Sequence, residues 1–390
     1  MKSIRLVFHN KTSATVGNGM DLYRLAIPYA FVGEEVDQVK SMGLDEFDTT
    51  PCDADVYVMN RPMSYRAKKV KDAGKFLIVD VDDYWVTPKW HWLYPDNLKR
   101  YIAHCETLPL DENDKRELKN IKHVYEREKV QAQNTIDSCH MADIVTCTTE
   151  TLRREFARIG ITAHIIKNSI HSNVNMFTTE KQKSNWLRFG WIGGNYHGKD
   201  ITLMYPGFRM LHKDIELSDE FQILSAFNNN SEYREIEKIM SNNFAGCSPE
   251  YVHYLHKYTR VGSHMGADEP YRRIWNMSPT EYGMMYEHLD VALIPLRDNK
   301  FNSCKSELKL IEAGMTGCAA IVSNVEPFKT YLKHGFNCLV TNGENGWYTA
   351  IRRLILDREL VATLAKNLHQ TIIENFDTIT EANKLKQLIA

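Results

Sequence analysis

The 390-residue sequence predicts two α/β domains, each a parallel sheet wrapped by helices, on three observations. Short runs rich in β-branched and aromatic residues alternate with helical patterns, which is how βαβ units read in sequence. The length exceeds one ordinary core and suits two domains. The polar stretch TTEKQKSN, residues 178–185, has no apolar periodicity and interrupts the alternation as a linker would.

In chain order, the first series of strands is IRLVFHN from Ile4, DVYVMN from Asp55, KFLIVDV from Lys75, DIVTC from Asp143 and HIIKN from His164. Between the third and fourth lies a charged block, roughly Asp96 to His140, with apolar residues three and four apart; it predicts a surface helix packed on the sheet. A second series follows: LRFGWIGG, FQILSAF, a run at YRRIWNM, DVALIPL from Asp290, AAIVSN and NCLVTN. The expected boundaries are a first domain over 1–182, a second over 183–370, and a helix over 371–390 that returns toward the first domain. Repeats of fixed period and low-complexity segments are absent from the sequence.

Composition narrows the function classes. Hydrophobic residues make up 43% and charged residues 25%, with a formal net charge of -2, so nothing demands a polyanionic partner. The eight cysteines are scattered without a CxxC pair or metal-ligand spacing, which predicts reduced thiols in a cytoplasmic setting, with no disulfide and no structural zinc. MKSIRLVFHN runs into a strand without a signal-peptide apolar region, and no apolar run nears the roughly 20 residues that span a bilayer. A transmembrane segment is therefore not expected.

Four stretches carry candidate chemistry. In KSELKLIEAGMTGCAAIVSN, Ser306 precedes Leu308, Lys309 and Leu310 like the start of a helix, whose free N–H groups and dipole suit a phosphate or diphosphate. Lys305 and Lys309 add full charges, Glu312 offers a carboxylate to ribose hydroxyls, and Ala313, Gly314 and Gly317 permit close approach. In FGWIGGNYHGKD a strand ends at Gly193 and Gly194, followed by His197 and Lys199 in a polar loop. In TSATVGNGMDLYRL, residues Gly17, Asn18 and Gly19 lead into an apolar helix and bring N–H groups to an anion. In VDVDDYW, residues Asp80, Asp82 and Asp83 crowd the carboxyl edge of a parallel sheet, where ligands bind and a carboxylate can orient or deprotonate a hydroxyl. Each has a plainer alternative in a solvated helix face, a flexible turn or a helix cap. Two more features read as surface: the basic run RPMSYRAKKVKDAGK from Arg61, and the pair in HYLH, His253 and His256, without a third ligand.

The segment from Asp290 to Val340 resembles the donor-binding half of family 4 glycosyltransferases, retaining enzymes of the GT-B fold. The match rests on Ser306, Leu308, Lys309, Leu310, Glu312, Gly317 and the apolar run to Ser323. The resemblance implies two Rossmann-like domains facing a central cleft and a nucleotide-diphosphate sugar donor, a UDP- or GDP-sugar. It makes Glu312 the ribose ligand and puts Lys305, Ser306 and Lys309 in the phosphate and sugar cradle. Gly193 and Lys199 match the family's first basic loop of this domain, and the Gly17 to Gly19 loop matches its first-domain glycine loop. Two departures stand out: Cys304 where many members have a second Glu, and Gly194 where an Arg is usual. They leave Asp298, Asn299, Lys300 and Asn302 as the polar candidates for the sugar.

The implied reaction is sugar transfer with retention to an acceptor hydroxyl, without a catalytic metal or other cofactor. Asp82 and Asp83 serve the acceptor, and Lys199 and Lys305 stabilise the departing diphosphate. The acceptor is a glycan or another hydroxyl compound. Two rivals stay open: a hydroxylated DNA base as acceptor, guided by the Arg61 to Lys75 run, and a non-catalytic nucleotide-sugar-binding or scaffold protein. The sequence does not disclose the oligomeric state.

Overall fold

The computed structural model describes residues 2–9, 18–33, 38–89, 91, 93–171, 174, 176–193, 197–217, 220–227, 231–257, 266–275, 277–343 and 345–390. The chain divides into two compact units. The first comprises Met1–Lys167, Cys304–Ser306 and Ala382–Ala390; the second comprises Asn168–Ser303 and Glu307–Glu381. The sequence-expected boundary at residue 182 falls in an irregular stretch that leads into the first strand of the second sheet.

Six strands build the first sheet: β1 (Ile4–Phe8), β2 (Val39–Gly43), β3 (Val56–Asn60), β4 (Phe76–Val81), β5 (Ile144–Cys147) and β6 (Ala163–Ile165), in the order β2-β1-β3-β4-β5-β6. All its pairs are parallel, so the carboxyl ends of the strands share one edge. Side chains alternate across the sheet: Val56 and Val58 face one layer with Ile4, Leu6 and Ile78, while Tyr57 and Met59 face the other with Val7, Leu77 and Val79. Burial on both faces is what a parallel sheet requires. Ala382, Leu385 and Ile389, from the helix Thr378–Ile389, complete the first of these layers.

The second sheet holds β7 (Leu187–Ile192), β8 (Phe221–Phe227), β9 (Tyr271–Trp275), β10 (Val291–Ile294), β11 (Ala319–Ser323) and β12 (Leu339–Thr341), in the order β12-β11-β10-β7-β8-β9. It too is parallel throughout. Phe189, Trp191, Ile223, Val291, Leu293 and Ile321 fill a core closed by Phe208, Trp347, Ile351 and Leu364.

Three differences from the sequence reading have physical causes. β2 was not expected, because VKSMG is an edge strand that buries only Met42 and so shows no apolar run. The charged block forms two helices, Pro95–Cys105 and Glu112–Met141, instead of one. Pro109 lies between them, and Asp111 opens the second with a capping box to Asp114. The helix expected to start at Ser306 spans Leu308–Met315, with Glu307 at its N-cap position.

Candidate functional site

In the second unit, the carboxyl ends of β7 and β10 carry a polar cluster organised by Asp200. Asp200 is fully buried, and its Oδ1 accepts from the Arg297 backbone N–H at 2.9 Å and from Asn302 Nδ2 at 2.9 Å. His197 Nδ1 lies 3.1 Å from its other oxygen. Arg297 Nε donates to the Lys199 carbonyl at 2.8 Å, which ties the loop after β10 to the helix Gly198–Ile201. Asn302 Oδ1 is buried and has no hydrogen-bond partner. The structure thus brings together His197, Lys199 and Asn302, with Gly193 ending the strand beneath; a Cβ there would stand 3.5 Å from His197. Gly194 lies outside the described residues. Sequence reasoning missed Asp200 and Arg297. The signal for Arg297 was a charge placed directly after the apolar run VALIPL.

A second cluster surrounds Glu312 on the helix Leu308–Met315. Its carboxylate is 1% exposed, and Oε2 accepts from Tyr286 Oη at 2.8 Å and from Lys309 Nζ at 3.0 Å. The Lys309 ammonium also donates to Tyr282 Oη and sits 4.5 Å from the centre of that ring. Burial and then the Glu312 charge push the phenols of Tyr282 and Tyr286 well above their usual range. The Tyr286 phenol and the Lys309 ammonium together fix the orientation of this carboxylate. Leu308 is the first residue of this helix, and Gly317, with φ of 67°, follows its end in the left-handed conformation that favours glycine. Tyr282 and Tyr286 lie on a 3-10 helix, Tyr282–His288, that the sequence reading passed over.

The first unit has its own polar layer under the carboxyl edge of its sheet. Asp80, the residue before the end of β4, is 2% exposed and takes a two-pronged ion pair from Arg24, Nη2 to Oδ1 at 2.6 Å and Nε to Oδ2 at 3.0 Å. Thr146 Oγ1 and Asn60 Nδ2 also donate to it, at 2.7 and 2.9 Å. Asp80 is therefore structural. Asp82 and Asp83 follow the strand and are half-buried. Asn60 Nδ2 reaches Asp82 Oδ1 at 3.3 Å, and burial, with the charge of Asp83, holds the Asp82 carboxyl above the usual range. Asp83 Oδ2 is 3.4 Å from Lys305 Nζ. Lys305 and Ser306 belong to this first unit, whereas Lys309 and Glu312 belong to the second.

Of the glycine loop, Gly17 lies outside the described residues. Gly19 begins the helical turn, and the Asn18 amide is committed to Asp21: Oδ1 accepts from the Asp21 N–H at 2.7 Å and Nδ2 donates to Asp21 Oδ2 at 2.9 Å. Asn18 thus fixes the start of the helical turn through its side chain. Three of the six basic side chains of the run are paired with carboxylates: Arg66 with Asp48, Lys68 with Asp72 and Lys71 with Asp143. Among the described residues, no group of three or more His, Cys, Asp or Glu side chains is arranged to hold a metal ion, and no helix is long and apolar enough to cross a membrane.

No family model and no curated protein matches the sequence. Solved structures do match along its whole length. The Anabaena protein HepE in complex with UDP-glucose aligns over 100% of this chain and 99% of its own, at 12% identity and a TM-score of 0.57. Sucrose-phosphate synthase from Thermosynechococcus elongatus aligns over 100% and 98%, at 13% identity and a TM-score of 0.61. The apo structure of OtsA aligns over 100% and 99%, at 11% identity and a TM-score of 0.58. Two parallel six-stranded sheets with this likeness have the GT-B fold.

Proposed function

We infer that the chain is a glycosyltransferase that moves a sugar from a nucleotide-diphosphate donor to an acceptor hydroxyl. The observation that carries this is the buried Glu312, oriented by Tyr286 and Lys309 on the helix Leu308–Met315. The full-length fold match to HepE, solved with UDP-glucose and also with UDP and glucose, supports the substrate class.

In this reading Glu312 accepts the ribose hydroxyls, and Lys309 neutralises the diphosphate while remaining tethered to Glu312. Leu308 seats the helix start, and Gly193, His197, Lys199 and Asn302 line the rest of the donor site. Lys199 and Lys305 stabilise the charge that develops on the leaving diphosphate. The donor is a UDP-sugar in the first instance, with GDP-sugars as the alternative. Resemblance to family 4 enzymes favours retention at the anomeric carbon and chemistry carried by these cations without a metal. On the acceptor side Asp82 and Asp83 take the hydroxyl, and the acceptor is a glycan or a similar polyhydroxyl compound. The eight free thiols support a reducing compartment, the cytoplasm.

Calorimetric titration with UDP, GDP, ADP and CDP and their common sugar conjugates tests the assignment, with Glu312→Ala alongside. Saturable binding of one nucleotide that is lost in the variant is expected. Equal binding by both proteins removes Glu312 from the site, and no binding by the wild type overturns the donor assignment.

A further inference from the structure

We propose that Arg61 binds an oxyanion carried by the acceptor, a phosphate or a carboxylate, and so selects acidic acceptors; this rests on the glycosyltransferase reading above. Arg61 directly follows β3, whose last residue, Asn60, pairs with Asp80 in the sheet register. It therefore stands at the carboxyl edge of the first sheet, where open α/β sheets bind ligands. The residue is half-buried, and its Nε is buried without a hydrogen-bond partner. The other arginines of this unit each donate to an Asp, Glu or Asn side chain. Asn60 Oδ1, one residue earlier, is likewise buried and unpartnered.

The backbone singles out the same residue. Arg61 has φ of 39°, and among the described residues no other residue than glycine has a positive φ. Such a conformation is strained for a residue with a side chain and persists where the surroundings enforce it, as they do at ligand sites. The Arg61 N–H donates to the Asp80 carbonyl at 2.9 Å, Gln131 Nε2 to the Arg61 carbonyl at 3.4 Å, Ser138 Oγ to the Pro62 carbonyl at 3.0 Å, and the Ser64 N–H to Asn134 Oδ1 at 2.8 Å. The helix Glu112–Met141 supplies all but the first of these ties.

Neighbouring carboxylates do not satisfy the guanidinium. Asp80 is taken by Arg24, Thr146 and Asn60, and Asp83 lies 3.4 Å from Lys305. Burial and the charge of Asp83 raise the Asp82 carboxyl and the Arg61 charge opposes them, yet the two side chains form no ion pair. A guanidinium presents a fixed fork of N–H donors that matches the oxygens of a phosphate or carboxylate, and partial burial strengthens the pairing. Consecutive residues that leave a donor, Arg61 Nε, and an acceptor, Asn60 Oδ1, unmatched suit a ligand that carries both an anion and hydroxyl groups. Arg61 then holds the charged end of the acceptor while Asp82, on the same edge, takes a hydroxyl.

The first arm of the test needs no acceptor. The arginine Nε–H resonances of the ¹⁵N-labelled full chain, with Arg61 assigned from Arg61→Gln, are followed during titration with inorganic phosphate and with acetate. A saturable shift of the Arg61 resonance is expected with at least one, and which one separates a phosphate from a carboxylate; no shift with either overturns the proposal. In the second arm, transfer from the nucleotide sugar that the protein binds is measured to a neutral hexose, its 6-phosphate and its uronic acid. Arg61→Gln should raise KM for the acidic acceptor on the order of 10- to 100-fold, with little change in kcat and none in nucleotide affinity. Transfer to the neutral hexose alone, or an unchanged KM in the variant, overturns the proposal, and the titration decides it if none of the three is a substrate. Arg61→Gly should unfold at no lower temperature than the wild type, because glycine adopts this φ freely; a marked loss of stability in both variants makes Arg61 structural and overturns the proposal. Absence of nucleotide binding in the wild type instead overturns the functional reading on which the proposal stands.

Discussion

Arg24 and Asp80 form a two-pronged ion pair in which both side chains are almost wholly buried, at 2% and 3% exposure. Arg24 Nη1 also donates to the Ile166 carbonyl at 2.7 Å, so one guanidinium links the turn after β1, the end of β4 and the segment after β6. Removing one partner strands the other charge in the core. Arg24→Ala should destabilise the protein by about 3–5 kcal/mol, and removing both charges should cost much less than the sum of the single changes. Urea unfolding followed by circular dichroism gives both numbers. An Arg24→Ala loss under about 1 kcal/mol, the size of an exposed pair, would show that water reaches the site.

Glu312 draws together Tyr286 and Lys309, and the variants separate charge from orientation. Glu312→Ala should weaken nucleotide binding by about 1.5–3 kcal/mol, the value of hydrogen bonds to a charged group. Tyr286→Phe keeps the charge and removes one of the two donors to Oε2, so it should reduce the preference for a ribonucleotide over its 2′-deoxy and 3′-deoxy forms. Calorimetry with UDP and the two deoxy analogues reads this directly. Unchanged discrimination in Tyr286→Phe would mean that Lys309 alone sets the carboxylate.

Gly314 sits two residues beyond Glu312 and touches the helix Arg358–Asn375: a Cβ there would come within 2.4 Å of Ile372 Cγ1 and 3.2 Å of Ile372 Cβ. His369 Nδ1 lies 2.8 Å from the Gly314 carbonyl and fixes the same contact. Gly314→Val should therefore cost about 1–3 kcal/mol through overpacking, and more if the helix is pushed off its seat. Pairing it with Ile372→Ala, which clears the space, should recover part of the loss. Thermal unfolding that is identical with and without Ile372→Ala would locate the strain elsewhere.

The sheets were legible because parallel strands are buried on both faces and so write continuous apolar runs such as KFLIVDV and DVALIPL. β2 was not, since one buried residue in an edge strand leaves no pattern. Within the site, Lys309 and Glu312 stand three apart on one helix, a spacing that sequence shows. Their partners Tyr282 and Tyr286 are 26 to 27 residues away and are joined to them only by the fold. The same holds for Asp80, whose fully paired state depends on Arg24, 56 residues distant, and on Thr146. Charge crowding in VDVDDYW pointed to the right edge and gave no means of separating the structural aspartate from the two that follow it.

Asp82 gives a pH signature with a definite sign. Burial, and next the charge of Asp83, raise its carboxyl above the usual range in the folded protein. The native state then binds a proton that the unfolded chain has released, so stability falls as pH rises through the interval between the two values. The contribution is complete below the unfolded carboxylate range and is lost as pH passes the folded value. Asp82→Asn, which mimics the neutral form and can still accept from Asn60, should match the wild type in stability at acid pH and exceed it at pH 8. Urea midpoints measured across that range check the direction, and a variant less stable than wild type at pH 8 would contradict it. If Asp82 also receives the acceptor, the same variant should bind nucleotide normally and transfer sugar poorly. More stability with less turnover is the pattern expected of a carboxylate kept in an unfavourable place for its chemistry. Full turnover in Asp82→Asn would leave the raised carboxyl as a packing consequence and shift the acceptor role to Asp83.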